Sequence, residues 1–309
     1  MTMTCPGGAW LKAAALGALM TGFFAPRAHA TRLWDPYLRG VNEGVPAGAL
    51  PPPGVYGVLN NYWASYSYFG GNGHKVSNTG LSALVEVPVV LWVPGLRVLG
   101  ATYAAGIAQP FDYNVSPDLS GKAGLGNWGT FNTVLIPGLL SWQLPHALFV
   151  KVGLEFQVPD ASSTMATTLN NGGLPSGNGY GVVQPDLGVS YLGNGWNVSA
   201  EFHLDVPLSS DHYAGITYRS GSQISVDYTI ARTMGPWTLG LGLAQENQLN
   251  ADTQNGAKVA NSTVTNFGMG PLVGYQFSNF GVMAAWNHNL HARNDVAGDI
   301  FNVRLTTRF

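Results

Sequence analysis

A two-residue alternation of apolar and polar side chains, repeated along much of this 309-residue chain, most restricts how it can fold. In the segment 298–309 the apolar residues fall on one face of an extended strand, whereas Asn302, Arg304 and Arg308 fall on the other. The same period recurs in segments 148–158, 196–208, 222–233, 237–244, 266–277 and 280–289. Because successive side chains of a β-strand point to opposite sides, this repetition predicts an all-β fold.

The composition indicates what the apolar face of these strands contacts. Charged residues make up 10% of the chain, whereas an ordinary soluble domain has roughly 25%. A soluble sheet needs a charged outer face, so the low charge favours lipid outside and a polar lumen inside. No apolar run after residue 30 is long enough for a membrane helix, and a bilayer otherwise admits only closed barrels. We therefore predict a monomeric, antiparallel transmembrane β-barrel of about 12 strands.

The connections between these strands alternate in length, as expected for short periplasmic turns and longer external loops. Tight turns are predicted at 193–195, 235–236 and 278–279, and long polar loops near 109–125, 159–179, 209–221 and 250–262. Proline cannot donate a hydrogen bond to a strand ladder, so prolines within strands predict bulges or strand ends. Such positions are Pro88, Pro137, Pro185, Pro207 and Pro271.

The beginning of the chain has the pattern of a secretory signal peptide. Lys12 is followed by an apolar stretch and by the small-x-small site Ala28–Ala30, which predicts cleavage after Ala30 and export. The only cysteine, Cys5, lies in this segment, so the mature chain has no disulfide and no cysteine-bound metal. Residues 31–54 lack a strand period and are either a plug inside the barrel or a disordered leader. Residues 55–309 are the predicted barrel.

The polar face of the predicted strands supplies the candidate functional residues. Their charges could form a ladder of ion pairs that rigidifies the barrel, and they would line the path of a substrate. We therefore expect Arg304→Ala or Glu201→Ala to alter passage without unfolding the barrel. The predicted lumen-lining residues are Glu86, Lys151, Glu155, Asp186, Glu201, His203, Asp205, Asp227, Arg304 and Arg308.

Enzyme chemistry is the weaker alternative. One strand face carries Ser199, Glu201, His203 and Asp205, as a hydrolase would need for a nucleophile, its base and an orienting carboxylate, but the same row suits a lumen wall. His288 and His291 lie three residues apart and are expected on opposite faces, so they predict no metal site. We predict no enzymatic activity, no cofactor and no metal. The mildly acidic charge of −2, without basic runs, excludes nucleic acid as a partner.

Several short motifs resemble one family of outer-membrane proteins, the transporter-like products of the MetA pathway of phenol degradation. The motifs are Pro51–Tyr56, Gly124–Asn127, Phe156–Pro159, Pro185–Tyr191, Tyr218–Gly221 with Asp227–Tyr228, Gly270–Tyr275 and the terminal Phe309. Asn127 stands where the family often has an acidic residue, so a role tied to that carboxylate does not carry over. A final strand that ends on Phe309 is typical of outer-membrane barrels, and Phe309 is the predicted signal for the barrel-assembly machinery.

The resemblance implies a location in the outer membrane, contact with its lipid, and uptake of small hydrophobic or aromatic compounds. No energy-coupling motif is visible, which predicts passive passage. Two other functions stay open at this point. One is a structural or adhesive barrel that acts through its loops, in which case loss of an external loop should impair adhesion more than transport. The other is an outer-membrane lipid hydrolase.

Overall fold

A computed structural model of the protein describes residues 34–115, 127–171 and 174–309. The predicted signal peptide, residues 1–30, lies outside the described residues, as do residues 31–33 and most of the glycine motif at 124–127. The described part contains one short helix, α1 (Met165–Asn171). None of its helices is long and apolar enough to cross a bilayer.

The strands form a closed, antiparallel barrel of 12 spanning strands, which confirms the predicted fold. Two spanning strands are each broken into two pieces, β4 with β5 and β6 with β7. The first and last strands pair along their whole length, and this pairing closes the sheet. The spanning strands are β1 (Gly54–Phe69), β2 (Leu81–Val93), β4 (Ala101–Ala108) with β5 (Phe111–Val115), β6 (Asn127–Thr130) with β7 (Val134–Leu144), β8 (Leu148–Gln157), β9 (Val182–Tyr191), β10 (Trp196–Pro207), β13 (Gln223–Met234), β14 (Trp237–Gln248), β17 (Thr265–Gln276), β18 (Phe280–Arg293) and β19 (Asp295–Arg308).

Five shorter strands lie outside the barrel wall. One of them, β3 (Arg97–Val98), forms a small hairpin with β4 at the end of the barrel that carries the short turns. The other four form a separate external sheet above the opposite end: β11 (Asp211–Tyr213), β12 (Ile216–Arg219), β15 (Thr253–Gln254) and β16 (Ala257–Lys258). The long loops at 208–222 and 249–264 are therefore paired with each other, and Tyr218 of one donates a hydrogen bond to Asp252 of the other at 2.6 Å.

The two faces of the wall differ in chemistry, because the two-residue period of the strands is kept around most of the barrel. The outward face is apolar, with a lipid-exposed belt that includes Trp63, Trp92, Ile107, Leu154, Leu241, Trp286 and Phe301. In the second half of the chain the inward positions are buried polar residues, such as Ser199, Glu201 and Asp227. This arrangement matches the alternation predicted for those strands.

The prolines within strands lie where the ladders are interrupted, as predicted. Pro137 lies in a register shift between β7 and β8, and Pro207 is the last residue of β10. Pro185 lies in a gap of the β9–β10 ladder, and Pro271 lies in a gap of the β17–β18 ladder. Pro88 lies where β2 stops pairing with β5 and begins to pair with β4. Each missing N–H thus coincides with a position that forms no ladder bond on one side.

One local prediction was wrong. His288 and His291 do not point to opposite faces, because a register shift between β17 and β18 adds a residue between them. Both side chains are exposed on the outward face. His288 contacts Asp299 of β19 there at 2.8 Å.

Candidate functional site

The N-terminal segment that precedes the barrel runs through the lumen. We name residues 34–53 the leader. It begins beside the external loop 158–181, where the Trp34 indole donates a hydrogen bond to the Pro175 carbonyl at 2.6 Å, and ends at the first residue of β1. It has no strand and consists of successive turns, such as those closed by Val41 N–H to Leu38 O and Val45 N–H to Asn42 O. Because a chain in the lumen has little water, its backbone groups need partners on the barrel wall.

A single wall carboxylate, that of Asp227 on β13, accepts several of these hydrogen bonds. Its oxygens bind the backbone N–H groups of Gly40 and Asn42, each at 2.9 Å, and the Tyr37 hydroxyl at 2.8 Å. Asp227 is buried, and hydrogen bonds from backbone N–H groups to a buried carboxylate are among the strong ones. Asp227 therefore fixes the middle of the leader against the wall.

A buried cation fixes the leader on the other side. Arg39 forms ion pairs with Glu246 at 3.1 Å and Asp295 at 2.7 Å, and it also donates to the Val296 carbonyl at 2.8 Å. These partners belong to β14 and β19, which are separated around the barrel by β17 and β18. Arg39 thus ties the leader to two separated parts of the wall.

Arg304 of β19 makes the reverse contact, from the wall to the leader. Its guanidinium donates to the carbonyl oxygens of Val41 and Glu43, and also to the Asn60 side chain. The position is buried. The expected effect of Arg304→Ala on passage therefore gains a physical reason, since this change removes donors that hold the leader.

Close backbone contact completes the attachment of the leader. Gly188 of β9 faces Ala47, and a Cβ atom added to Gly188 would overlap the Ala47 carbonyl. The leader can therefore lie this close to the wall only because Gly188 has no side chain.

This contact gives a testable prediction. Gly188→Ala should displace the leader and raise ion conductance through the barrel, because overpacking at such a contact costs about 1–3 kcal/mol. Gly138→Ala is the matched control, since an added Cβ there meets only Tyr103, at 3.5 Å. Single-channel recording of both variants in planar bilayers measures the effect, and equal conductance in both would show that the Gly188 contact does not hold the leader.

The part of the wall that the leader contacts carries a buried network of charged side chains on β8, β9 and β10. Lys151 lies 2.5 Å from Glu201 and 3.6 Å from Asp186, and His203 lies 3.9 Å from Glu201. The His203 ring also stacks on the leader's Tyr37, with ring centroids 4.0 Å apart. Opposite charges on neighbouring strands are therefore paired, and the leader packs directly on this network.

Most of the predicted lumen residues lie on the inward face of the barrel wall. Lys151, Asp186, Glu201, His203, Asp205, Asp227 and Arg304 are buried on the inward face, and Glu155 is half-buried there. Arg308 is exposed near the end of the barrel with the short turns, where it donates to the Pro53 carbonyl at 2.7 Å. Phe309 is also exposed, and its N–H donates to the Val55 carbonyl at 2.9 Å. Their roles in passage and assembly stay predictions.

Glu86 is the exception, because the structure places it on the outward face of β2. Its neighbours Val85 and Val87 are the buried, inward residues, and its cross-strand partners are Asn61 and Phe111. The prediction assumed that polar residues face inward in every strand. In β2 the inward face is apolar, so that assumption assigns Glu86 to the wrong side.

An apolar cavity of about 170 Å³ lies between the leader and the wall and was not predicted from the sequence. Its apolar lining comes from the early strands β2, β4 and β7, from the break between β6 and β7, and from the leader. These side chains are Leu38, Val41, Val85, Val87, Val89, Ala108, Phe131, Val134 and Ile136. The signal was present in segments 81–91, 97–108 and 131–140, which are apolar on both faces in places. An inward face that is apolar in a barrel indicates contact with something other than water.

The wall beside this cavity is the place where two spanning strands are broken. Gln109 and Pro110 separate β4 from β5, and residues 131–133 separate β6 from β7. Substitute hydrogen bonds satisfy the backbone there: Gln109 N–H donates to Pro88 O at 3.2 Å, and its side chain donates to Phe131 O at 3.1 Å. Because lipid offers no hydrogen bonds, such breaks persist only where the freed groups find protein partners.

The closed barrel and its apolar outer belt define the class of protein: this is a β-barrel of the bacterial outer membrane. The family model described as "Putative MetA-pathway of phenol degradation" matches residues 67–305, so the chain belongs to that family and the resemblance drawn from its motifs is confirmed.

The fold is similar to that of an outer membrane channel from Pseudomonas putida F1, with a TM-score of 0.75 and 17% identity, over 87% of this chain and 100% of that chain. The translocator domain of the autotransporter NalP from Neisseria meningitidis is more distant, with a TM-score of 0.47 and 10% identity over 96% of this chain and 98% of that chain. No curated protein sequence matches the chain.

Proposed function

We propose that this protein is an outer-membrane channel for the passive uptake of small hydrophobic compounds, and that single-ring aromatic compounds fit it best. The observation that carries the proposal is the apolar cavity inside the barrel, with a volume of about 170 Å³. For comparison, an engineered apolar protein cavity of about 150 Å³ binds benzene. Passage of water and ions alone does not require an apolar lining.

Passage through the barrel requires the leader to move. It occupies the lumen beside the cavity and is held by polar contacts to Asp227, Glu246 and Asp295, in addition to the apolar packing of Trp34 and Leu38 on the inner side of β1 and β2. Polar contacts of this kind exchange with water when a segment shifts, so displacement of the leader does not require the barrel itself to unfold. We propose that a compound enters the apolar cavity and continues past the leader down its concentration gradient, with selection by the lining.

The candidate hydrolase residues do not form a catalytic arrangement. The Ser199 hydroxyl lies 2.7 Å from Ser190 and 2.5 Å from Asn197, whereas His203 is stacked on Tyr37. On the outward face, His288 contacts Asp299, whose neighbour on the far side is Ser65. A hydroxyl nucleophile must lie next to the imidazole rather than next to the carboxylate, so neither row supports a hydrolase.

Filling the cavity tests the proposal. Val87→Phe places a ring into the cavity and should lower uptake of radiolabelled toluene about tenfold, because no space for a ligand ring is left. Val90→Phe introduces the same side chain on the lipid-facing side of the same strand, where Val90 is exposed, and should leave uptake unchanged.

Uptake is measured in cells that express each variant in a strain without its own channel, after a heat-dependent shift on SDS gels has shown that each barrel is folded. Equal uptake in the two folded variants would contradict a path through the cavity. Uptake that continues in vesicles without an energy source is the second expected result, since a passive channel needs none.

A further inference from the structure

The cavity has a polar end as well as an apolar wall. Asp112 and Asn114 of β5 line it at the point where the strand resumes after the break at Pro110. They are 2% and 1% exposed, so both are buried among protein atoms. The Asn114 amide donates a hydrogen bond to the Asp112 carboxylate, and the Ser176 hydroxyl lies beside it. The cavity is therefore amphipathic.

Within the described residues, the carboxylate of Asp112 forms no ion pair with Lys or Arg, in contrast to several other buried carboxylates of the lumen. Glu201 is paired with Lys151, and Glu246 and Asp295 are paired with Arg39. No Lys or Arg is among the described residues that line the cavity. His203 also lines it, but its ring lies 3.9 Å from Glu201 and is stacked on Tyr37. Burial of a carboxylate without a cation is costly, unless hydrogen-bond donors compensate it.

The polar groups near Asp112 offer further acceptors. The Asn114 side-chain oxygen and the Gln157 side-chain oxygen are buried and have no hydrogen-bond partner within the described residues. The Gln157 amide nitrogen is already used, since it donates to the Pro36 carbonyl of the leader at 2.8 Å. A carboxylate has about four lone-pair sites, so Asp112 also keeps acceptor capacity beyond its present partners. The part of the cavity lining around Asp112 is thus rich in acceptors, and no Lys or Arg is among its described residues.

We propose that Asp112, with Asn114, is the specificity-determining site of the channel and recognises a hydrogen-bond donor on an otherwise apolar ligand. The ligand class is a single-ring aromatic compound that carries a hydroxyl or amino group. An aromatic carboxylate is disfavoured, because its charge would face Asp112 and Glu155, and the His203 imidazole of the lining already lies next to Glu201. This inference rests on the proposed function, since it assigns the polarity of the ligand that occupies the same cavity.

Four ligands of similar size separate this proposal from the proposed function: toluene, phenol, aniline and benzoate. The purified full-length protein in detergent is titrated with each by calorimetry, and Val87→Phe gives the background from partition into micelles. We expect phenol and aniline to bind about tenfold more tightly than toluene, as a hydrogen bond to a charged group implies, and benzoate to bind no better than background. If none of the four exceeds background, both the proposed function and this inference fail.

Variants of Asp112 then test the site itself. Asp112→Leu removes the acceptor and should make phenol and toluene bind equally, with toluene binding kept. Val85→Ala is the matched control, because Val85 is the cross-strand neighbour of Asp112 and lines the same cavity. It should weaken all neutral ligands by a similar factor and leave the ratio of phenol to toluene unchanged.

The heat-dependent gel shift shows which variants fold. If Asp112→Leu does not fold, Asp112→Asn decides, since it keeps the shape, removes the charge and should lower the ratio of phenol to toluene several-fold. A ratio that stays at the wild-type value in a folded Asp112 variant would overturn the inference while leaving the proposed function intact.

Discussion

Arg39→Ala is expected to release the leader from the lumen and to convert a nearly closed barrel into an open one. Arg39 is buried and supplies the cation for Glu246 at 3.1 Å and Asp295 at 2.7 Å. Removing one partner of a buried ion pair costs about 3–5 kcal/mol, because the remaining charges stay buried without compensation. Here the cost falls on the docked state of the leader, since a displaced leader lets water reach both carboxylates.

Two measurements check this expectation. Single-channel conductance in planar bilayers should rise, with long open periods, and an added protease should cleave the variant within residues 34–53 much faster than the wild type. Arg232→Ala is the control: Arg232 is exposed and lies over the Trp196 ring, 5.5 Å from its centroid, on the outer side of the barrel. Unchanged conductance together with unchanged protease resistance in Arg39→Ala would mean that the ion pairs do not hold the leader.

Lys151→Met is expected to destabilise the barrel wall itself rather than the leader. Lys151 joins β8 to β9 and β10 through Asp186 at 3.6 Å and Glu201 at 2.5 Å, and all three side chains are buried. Loss of the cation leaves two carboxylates near each other, so the free energy of unfolding should fall by about 3–5 kcal/mol. The temperature at which the folded form disappears on unheated SDS gels should fall accordingly.

A second substitution separates charge from packing. Replacing a buried ion pair by apolar residues is often nearly neutral, so Lys151→Met combined with Glu201→Met should recover part of the lost stability. Lys258→Met is the control, because Lys258 is exposed on the external strand β16 and should change nothing. A double variant as unstable as Lys151→Met alone would show that the methionine packs badly and that the ion pair is not the cause.

The sequence predicted the later strands well for a physical reason. In β10, β13 and β19 the lumen face is lined by ionised and amide side chains while the lipid face is apolar, so the period alone separates the two sides. The number of strands follows from counting such segments together with the less regular early ones. Loop lengths follow the prediction only in part: β5 (Phe111–Val115) lies within the loop predicted near 109–125. The connection between β18 and β19 is a single residue, Asn294, with φ of 52°.

The early strands were harder to interpret because their two faces are both apolar. The two-residue period cannot show which face of β2 is inward, because Val85 and Val87 face a cavity while Leu84 and Val90 face lipid, and all four are apolar. Glu86 was assigned inward by analogy with the later strands, and this was wrong. The same ambiguity hid the cavity, which exists only where the leader, β2, β4 and β7 come together from distant parts of the chain.

The path of the leader also could not be deduced from its own residues. Turn-forming glycines and prolines suit a disordered segment and a plug equally well. The partners of the leader on the barrel wall distinguish a plug from a disordered segment. These partners, Asp227, Glu246 and Asp295, lie more than 180 residues away along the chain. Only the closed sheet brings these groups to the leader, so no local pattern could have indicated the contact.

The dependence of these wall carboxylates on the leader bears on the order of assembly. As strands are added and the sheet curls, the inward carboxylates of Asp227, Glu246 and Asp295 come closer together and repel one another. Donors from residues 37–42 neutralise that repulsion, so we expect the leader to be enclosed before the sheet is complete. We therefore expect the pairing of β1 with β19, which closes the barrel, to form last, around a leader that is already inside.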